Sequence, residues 1–270
     1  MVINLSDMRD DFMTWNIDPV AISFLGLKVH WYGILFALAI ISGLQTMKVI
    51  YRKEKMPTEH LYDQLSNLLI GIILCARLVE CLFYYPQYYW NNPLKIFAVW
   101  EGGLASHGGA LGVLVVVLLY TKKYKVSFLW LFDRLAISMA IFAFFVRLAN
   151  FVNSEILGIP TDFPWAVTFQ RVDMLPRHPV QLYEAFTFLG IFVLLVCIYN
   201  RSKIIRKGSL LGLFLSLTFV ARFLLEYLKQ RQASYANDLA LSVGQLLSIP
   251  FIIIGILLLA LAFNKSKTIC

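Results

Sequence analysis

The chain has 270 residues, of which 59% are hydrophobic and only 15% charged. With a mean hydropathy of +0.71, it is too apolar for a water-soluble domain, so it is an integral membrane protein. A formal charge of +8 would suit a nucleic-acid binder, but the basic residues are dispersed into short loops, so no nucleic-acid partner is expected.

In chain order, the first stretch, "MVINLSDMRDDFMTWNIDP", is mixed and acidic, which predicts an outer interfacial segment rather than a cleavable signal. Three windows longer than 18 residues carry no Asp, Glu, Lys or Arg: Val29 to Met47, Gly102 to Thr121, and Leu239 to Asn264. Each can cross a hydrocarbon core of roughly 30 Å. Four further apolar stretches, near 64–85, 128–150, 182–199 and 208–228, are long enough but hold or border ionisable residues. The expected fold is therefore an all-α integral membrane protein with seven transmembrane helices. Thirteen of the 24 Lys and Arg then fall on one side and seven on the other. The positive-inside rule makes the C-terminus cytoplasmic and the N-terminus periplasmic.

The connections are short, with no internal repeat, which predicts one membrane domain over residues 1–270. The aromatic loop 84–103 reads as a headgroup-level belt. Residues 151–178 form the longest non-spanning segment and the expected small periplasmic head. Cys75, Cys81, Cys197 and Cys270 make neither a CxxC pair nor a Cys/His spacing, so no disulfide and no metal are expected.

Charges inside the spans cost at least about 2.5–3.5 kcal/mol each unless paired, hydrated or used. Arg77 and Glu80 are three apart and Arg222 and Glu226 four apart, which predicts an ion pair along each helix. Asp133 and Arg134 enter span four from the cytoplasm, where snorkelling is the default. Arg147 lies too deep for that. Asn150 and Ser154 follow it at +3 and +7, with Asn153 and Glu155 alongside, so one polar stripe is expected to face away from lipid. Such a stripe is either a seam between helices or an anion site, guanidinium being suited to phosphate in two-pronged geometry. "WEGGLASHGGALG", residues 100–112, opens span three with Gly108 and Gly112 at a spacing that lets another helix come close. His107 sits among those glycines. Span three starts and span four ends on the same side, so His107 and Arg147 are expected at comparable depth.

Taken together, "HWYG" (30–33), "FAVWEGGLASHGGALG" (97–112), "RLANFVNSE" with Gly158, "LPRHPVQLYEA" (175–185), "RFLLEY" (222–227) and "LSVGQLLSIP" (241–250) resemble the prolipoprotein diacylglyceryl transferases of bacteria. The resemblance runs in order over most of the chain. It implies an enzyme of the bacterial cytoplasmic (inner) membrane that moves the diacylglyceryl group of phosphatidylglycerol to the lipobox cysteine thiol of preprolipoproteins. The products are a thioether and glycerol 1-phosphate, and no cofactor is implied. By motif, Arg147 and Arg222 match the family's essential arginines and His107 its proposed base. Asn150, Asn153, Glu155 and Gly158 match the signature segment, Tyr32 the tyrosine of the first span, and Glu226 the substrate-binding end of "RFLLEY". Val146, Ala149 and Ser154 stand where that signature carries glycines, and no role passes to Lys229 or Arg231.

The chemistry asks for the same residue types. A thiol of pKa about 8.5 benefits from a histidine base. A departing phosphate monoester gains negative charge that preset arginines can stabilise. An anion transporter or channel and a lipid-binding scaffold are the alternatives. The former lacks the paired Gly/Pro-broken helices of inverted repeats.

Overall fold

The computed structural model describes residues 12–24, 26–202, 204–230 and 241–264. Most of the predicted interfacial N-terminal segment, Arg231, Leu239, Lys265, Lys267 and Cys270 lie outside the described residues. Three short strands, β1 (Met13–Trp15), β2 (Val20–Phe24) and β3 (Leu27–His30), precede helix α1 (Trp31–Lys53). Helix α2 (Glu59–Val79) continues into a π-helical turn, Glu80–Tyr84, followed by α3 (Pro86–Asn91), α4 (Ser106–Tyr124) and α5 (Phe128–Val152). Strands β4 (Val167–Phe169) and β5 (Pro176–Arg177) come before α6 (Val180–Arg201), α7 (Ser209–Leu225) and α8 (Val243–Asn264). The chain divides into two compact units, one running to Thr46 and resuming at Asp133, the other covering Met47–Phe132.

Six helices among the described residues are long and apolar enough to cross a membrane: α1, α2 with its π turn, α5, α6, α7 with the turn after it, and α8. The seventh expected span is α4. It forms as a helix of 19 residues, but His107, three glycines and two lysines leave its composition below that of the other six. The described residues are mostly helical, as an all-α membrane protein should be, and the strands are short pieces before and between the helices. They arise where the non-helical chain must pair its own backbone groups.

In the first unit, α7 packs against both α6 and α8. Strand β1 pairs in parallel with β4, which pairs antiparallel with β5, so the expected head segment is tied to the start of the chain. Phe151 of α5 forms a buried cluster with Val167 and Phe169 of β4, with Trp15, Leu157 and Leu182 packed on it. Arg177 cross-links the segment, donating to both carboxylate oxygens of Asp173 and to Gly158 O. The guanidinium holds the Asp173 carboxyl below the usual carboxylate range.

Asp133 does not snorkel. It is fully buried, and its carboxylate accepts the backbone N–H of Gly208 at 2.7 Å and of Leu211 at 2.9 Å, capping the start of α7 from a neighbouring helix. Helix starts carry free N–H donors and partial positive charge, so a buried carboxylate there is compensated in place. Replacing Asp133 by Ala is expected to cost about 2 kcal/mol, read as a lower thermal midpoint in detergent.

In the second unit, α4 packs on α2 through glycines, as the small-residue spacing predicts. A β-carbon on Gly108 would lie 2.3 Å from Cys75 O, and one on Gly112 would lie 2.4 Å from Gly71 O. Arg77 does not pair with Glu80. Its guanidinium donates to the backbone carbonyls of Lys95, Ile96, Ala98, Gly102 and Gly103 and lies over the Tyr89 ring. The loop 93–103 thereby closes around one cation.

Candidate functional site

Helix α5 carries Arg147 and Asn150 one turn apart, and the helix stops soon after. Ser154 N–H bonds Phe151 O and Glu155 N–H bonds Asn150 O, a Schellman-type end. That closure places Ser154 in the left-handed region at φ +58°, which glycine enters freely and other residues at roughly 1–2 kcal/mol. The polar stripe therefore ends at Asn150, and Ser154 belongs to the turn instead of the helix face. The glycine absent from this position is thus a conformational matter.

The turn points the chain back on itself, and both asparagines grip the same acid. Asn150 Nδ2 donates to Glu155 Oε2 and Asn153 Nδ2 to Glu155 Oε1, each at 3.0 Å. Gln181 donates to the Glu155 backbone carbonyl. Tyr32 stands in the first turn of α1, its ring stacked on Phe36. Gly158 sits where a β-carbon would be 2.3 Å from His178 O, so only glycine lets the loop lie there. Its carbonyl accepts from Arg177 at 2.9 Å.

Arg147 and Arg222 line one cavity of about 80 Å³, together with Glu184, Thr187, Phe188, Thr218, Phe219, Ala221 and Leu225. Arg147 Nη1 lies 3.1 Å from Glu184 Oε2, yet that oxygen accepts no aligned hydrogen bond. The contact is ionic, and the guanidinium donors are not committed to it. Arg222 forms no ion pair with Glu226. Among the described residues it has no carboxylate partner within ion-pair distance. Glu226 is taken up elsewhere, accepting from Ser242 Oγ at 3.1 Å and lying 3.5 Å from Lys229 Nζ. Gly244 allows this, since a β-carbon there would meet the Glu226 carboxylate. Two guanidiniums facing one small cavity with free donors have the chemistry to take an anion. The hydroxyl of Thr218, buried and without a hydrogen-bond partner, lines the same cavity.

Three contributors were not assigned to the site from the sequence. Glu184 is visible as an intramembrane charge, but its partner lies on another helix. Thr218 gives no signal within an apolar run. Lys229 lies past the end of α7, and spacing cannot show that it folds back to Glu184.

His107, in the other unit, opens α4. Its Nδ1 lies 3.1 Å from Tyr84 Oη, at the last residue of the π-helical turn. In the tautomer with the proton on Nδ1, Tyr84 accepts and Nε2 is free to take a proton.

Comparison with known proteins supplies the family. The family model described as prolipoprotein diacylglyceryl transferase matches residues 19–261. A phosphatidylglycerol–prolipoprotein diacylglyceryl transferase of Tolumonas auensis is 50% identical over 252 residues, covering 93% of this chain and 98% of the relative. Its namesake in Chloroherpeton thalassium is 45% identical over 260 residues, covering 95% and 96%. One from Bacteroides fragilis is 39% identical over 271 residues, covering 95% and 97%. With a family match running from just before β2 into α8, the chain belongs to the prolipoprotein diacylglyceryl transferase family.

Proposed function

We propose that this chain transfers the sn-1,2-diacylglyceryl group of phosphatidylglycerol to the lipobox cysteine thiol of a preprolipoprotein, with the Arg147–Arg222 cavity taking the lipid phosphate. The observation that carries the reading is the pair of guanidiniums on one cavity with uncommitted donors. A phosphodiester offers them non-bridging oxygens in matching geometry.

The acceptor thiol loses its proton, the sulfur attacks the glyceryl carbon, and the carbon–oxygen bond to phosphate breaks. Glycerol 1-phosphate leaves with the electron pair, and a thioether remains. The phosphate gains charge as that bond lengthens, which is where two fixed guanidiniums contribute most. His107 is assigned as the group that takes the thiol proton. Tyr32, Asn150, Asn153, Glu155, Gly158 and Glu226 are assigned to substrate binding, directly or by shaping the wall of the site.

The distribution of basic residues supports seven spans with the N-terminus periplasmic and the C-terminus cytoplasmic. It also supports residence in the bacterial cytoplasmic membrane and a head formed by about 151–178. The test is a mass spectrum of a lipobox peptide incubated with purified protein and phosphatidylglycerol. The cysteine gains one diacylglyceryl group; an unmodified peptide overturns the proposal. In the same assay His107→Gln lowers the rate by about 100-fold and removes the acid limb of the pH–rate profile. An unchanged rate and profile would take His107 out of proton transfer.

A further inference from the structure

Lys229 follows α7 and received no role from the sequence, yet it is held at the centre of the charge cluster. Its ammonium lies 2.6 Å from Glu184 Oε1 and 3.5 Å from Glu226 Oε2, with its side chain only 8% exposed. The backbone delivering it is fixed. Lys229 is bridged antiparallel to Gly158, Ile159 N–H donates to Leu228 O at 2.9 Å, and Gln230 N–H donates to Leu157 O at 3.0 Å. The ammonium therefore comes from a pinned segment and not from a mobile tail.

Glu184 is consequently shared between two cations. Its Oε1 takes a hydrogen bond from Lys229, while its Oε2 makes only the unaligned 3.1 Å contact with Arg147. Glu226 accepts from Ser242 Oγ at its Oε1, and its Oε2 makes a 3.5 Å ionic contact with Lys229 without a hydrogen bond. Three cationic side chains, Arg147, Arg222 and Lys229, stand against the acids Glu184 and Glu226, a formal surplus of one positive charge.

We propose that Lys229 is a positioning residue. By holding Glu184 and Glu226 it keeps those carboxylates from closing on Arg147 and Arg222, leaving guanidinium donors and one net positive charge for a monoanionic phosphodiester. The inference rests on the reading of the cavity as the lipid-phosphate site. Without the ammonium, the desolvated Glu184 carboxylate has one cation left to satisfy it, and a two-pronged pair with Arg147 is its best geometry. The surplus charge also disappears, and an entering anion meets an occupied arginine.

The test compares the full-length parent with Lys229→Met, Lys229→Arg and the double variant Lys229→Met/Glu184→Gln. Two readouts are taken: KM and kcat for transfer from phosphatidylglycerol to a lipobox peptide, and the ratio of phosphatidylglycerol to phosphatidylethanolamine retained by protein purified from mixed vesicles. Lys229→Met is expected to raise KM by about tenfold and to lower the retention ratio. The double variant, with the competing carboxylate neutralised, recovers most of that loss, as coupled neighbours do. Lys229→Arg stays within about threefold of the parent, because the charge and its reach are kept. Parental KM in Lys229→Met, or a double variant no better than the single, overturns the proposal. If Lys229→Met does not fold, the double variant decides alone: near-parental KM supports the inference and a tenfold rise overturns it. If the parent gives no product, the transferase reading fails, and the retention ratios across the same variants still judge the charge argument.

Discussion

Arg147→Ala lowers kcat/KM for diacylglyceryl transfer by about 1,000-fold or more, and Arg222→Ala does so by a similar factor, while both proteins keep their fold. Loss of one neutral donor that stabilises a transition-state oxyanion costs roughly 100- to 1,000-fold, and a charged, two-pronged donor costs at least as much. The fold survives because the partners are arranged for it. Removing Arg147 leaves Glu184 bonded to Lys229, and Arg222 has no ion pair to lose among the described residues. Lysine does not restore either position, since a point charge cannot present two parallel donors to one phosphate. Rates with a lipobox peptide, set beside thermal midpoints in detergent, check this. A variant with an unchanged midpoint and parental kcat/KM would remove that arginine from the phosphate site.

Gly112→Val prevents a stable α2–α4 pair. Its added β-carbon would fall 2.4 Å from Gly71 O and 2.7 Å from Gly71 C, both backbone atoms that cannot swing aside. The helices must part along the whole seam, since Gly108 makes the same close approach one turn away. The expected cost is about 3 kcal/mol or more. It should appear as aggregated or absent protein on size-exclusion chromatography after detergent extraction. Gly109→Ala is the control on the same helix. Its nearest neighbour would be Ile72 Cγ2 at 3.5 Å, an ordinary contact, so that variant elutes like the parent.

The positions of the long helices and the glycine seam are legible in the sequence because hydropathy and residue size act locally along one helix. The convergence of Arg147 and Arg222 on one cavity is suggested by the motifs that carry the family resemblance. What spacing misjudges is partner choice. Arg77 and Glu80, and Arg222 and Glu226, share helix faces as counted, but neither pair forms. Arg77 finds five carbonyls in a loop about 20 residues away, and Glu226 finds Lys229 beyond the helix end. Asp133 is misread for a similar reason: nothing near it in the chain announces that the start of α7 will arrive at its carboxylate. Helical spacing reports which groups are neighbours along one axis, whereas a buried charge is settled by whatever donor or acceptor tertiary packing brings nearest.

The cluster around Arg77 bears on how an irregular segment survives next to lipid. A loop carrying five bare carbonyls would need water at every one, and hydrocarbon supplies none. Here a single cation from α2 replaces that shell of solvent, so the segment travels with its own hydration built in. Its outward side chains then need no water either: Leu94, Phe97 and Trp100 are 83%, 74% and 79% exposed. Polar inside and greasy outside, this stretch is constructed like a float turned upside down, built to meet an apolar surface without baring those carbonyls to it.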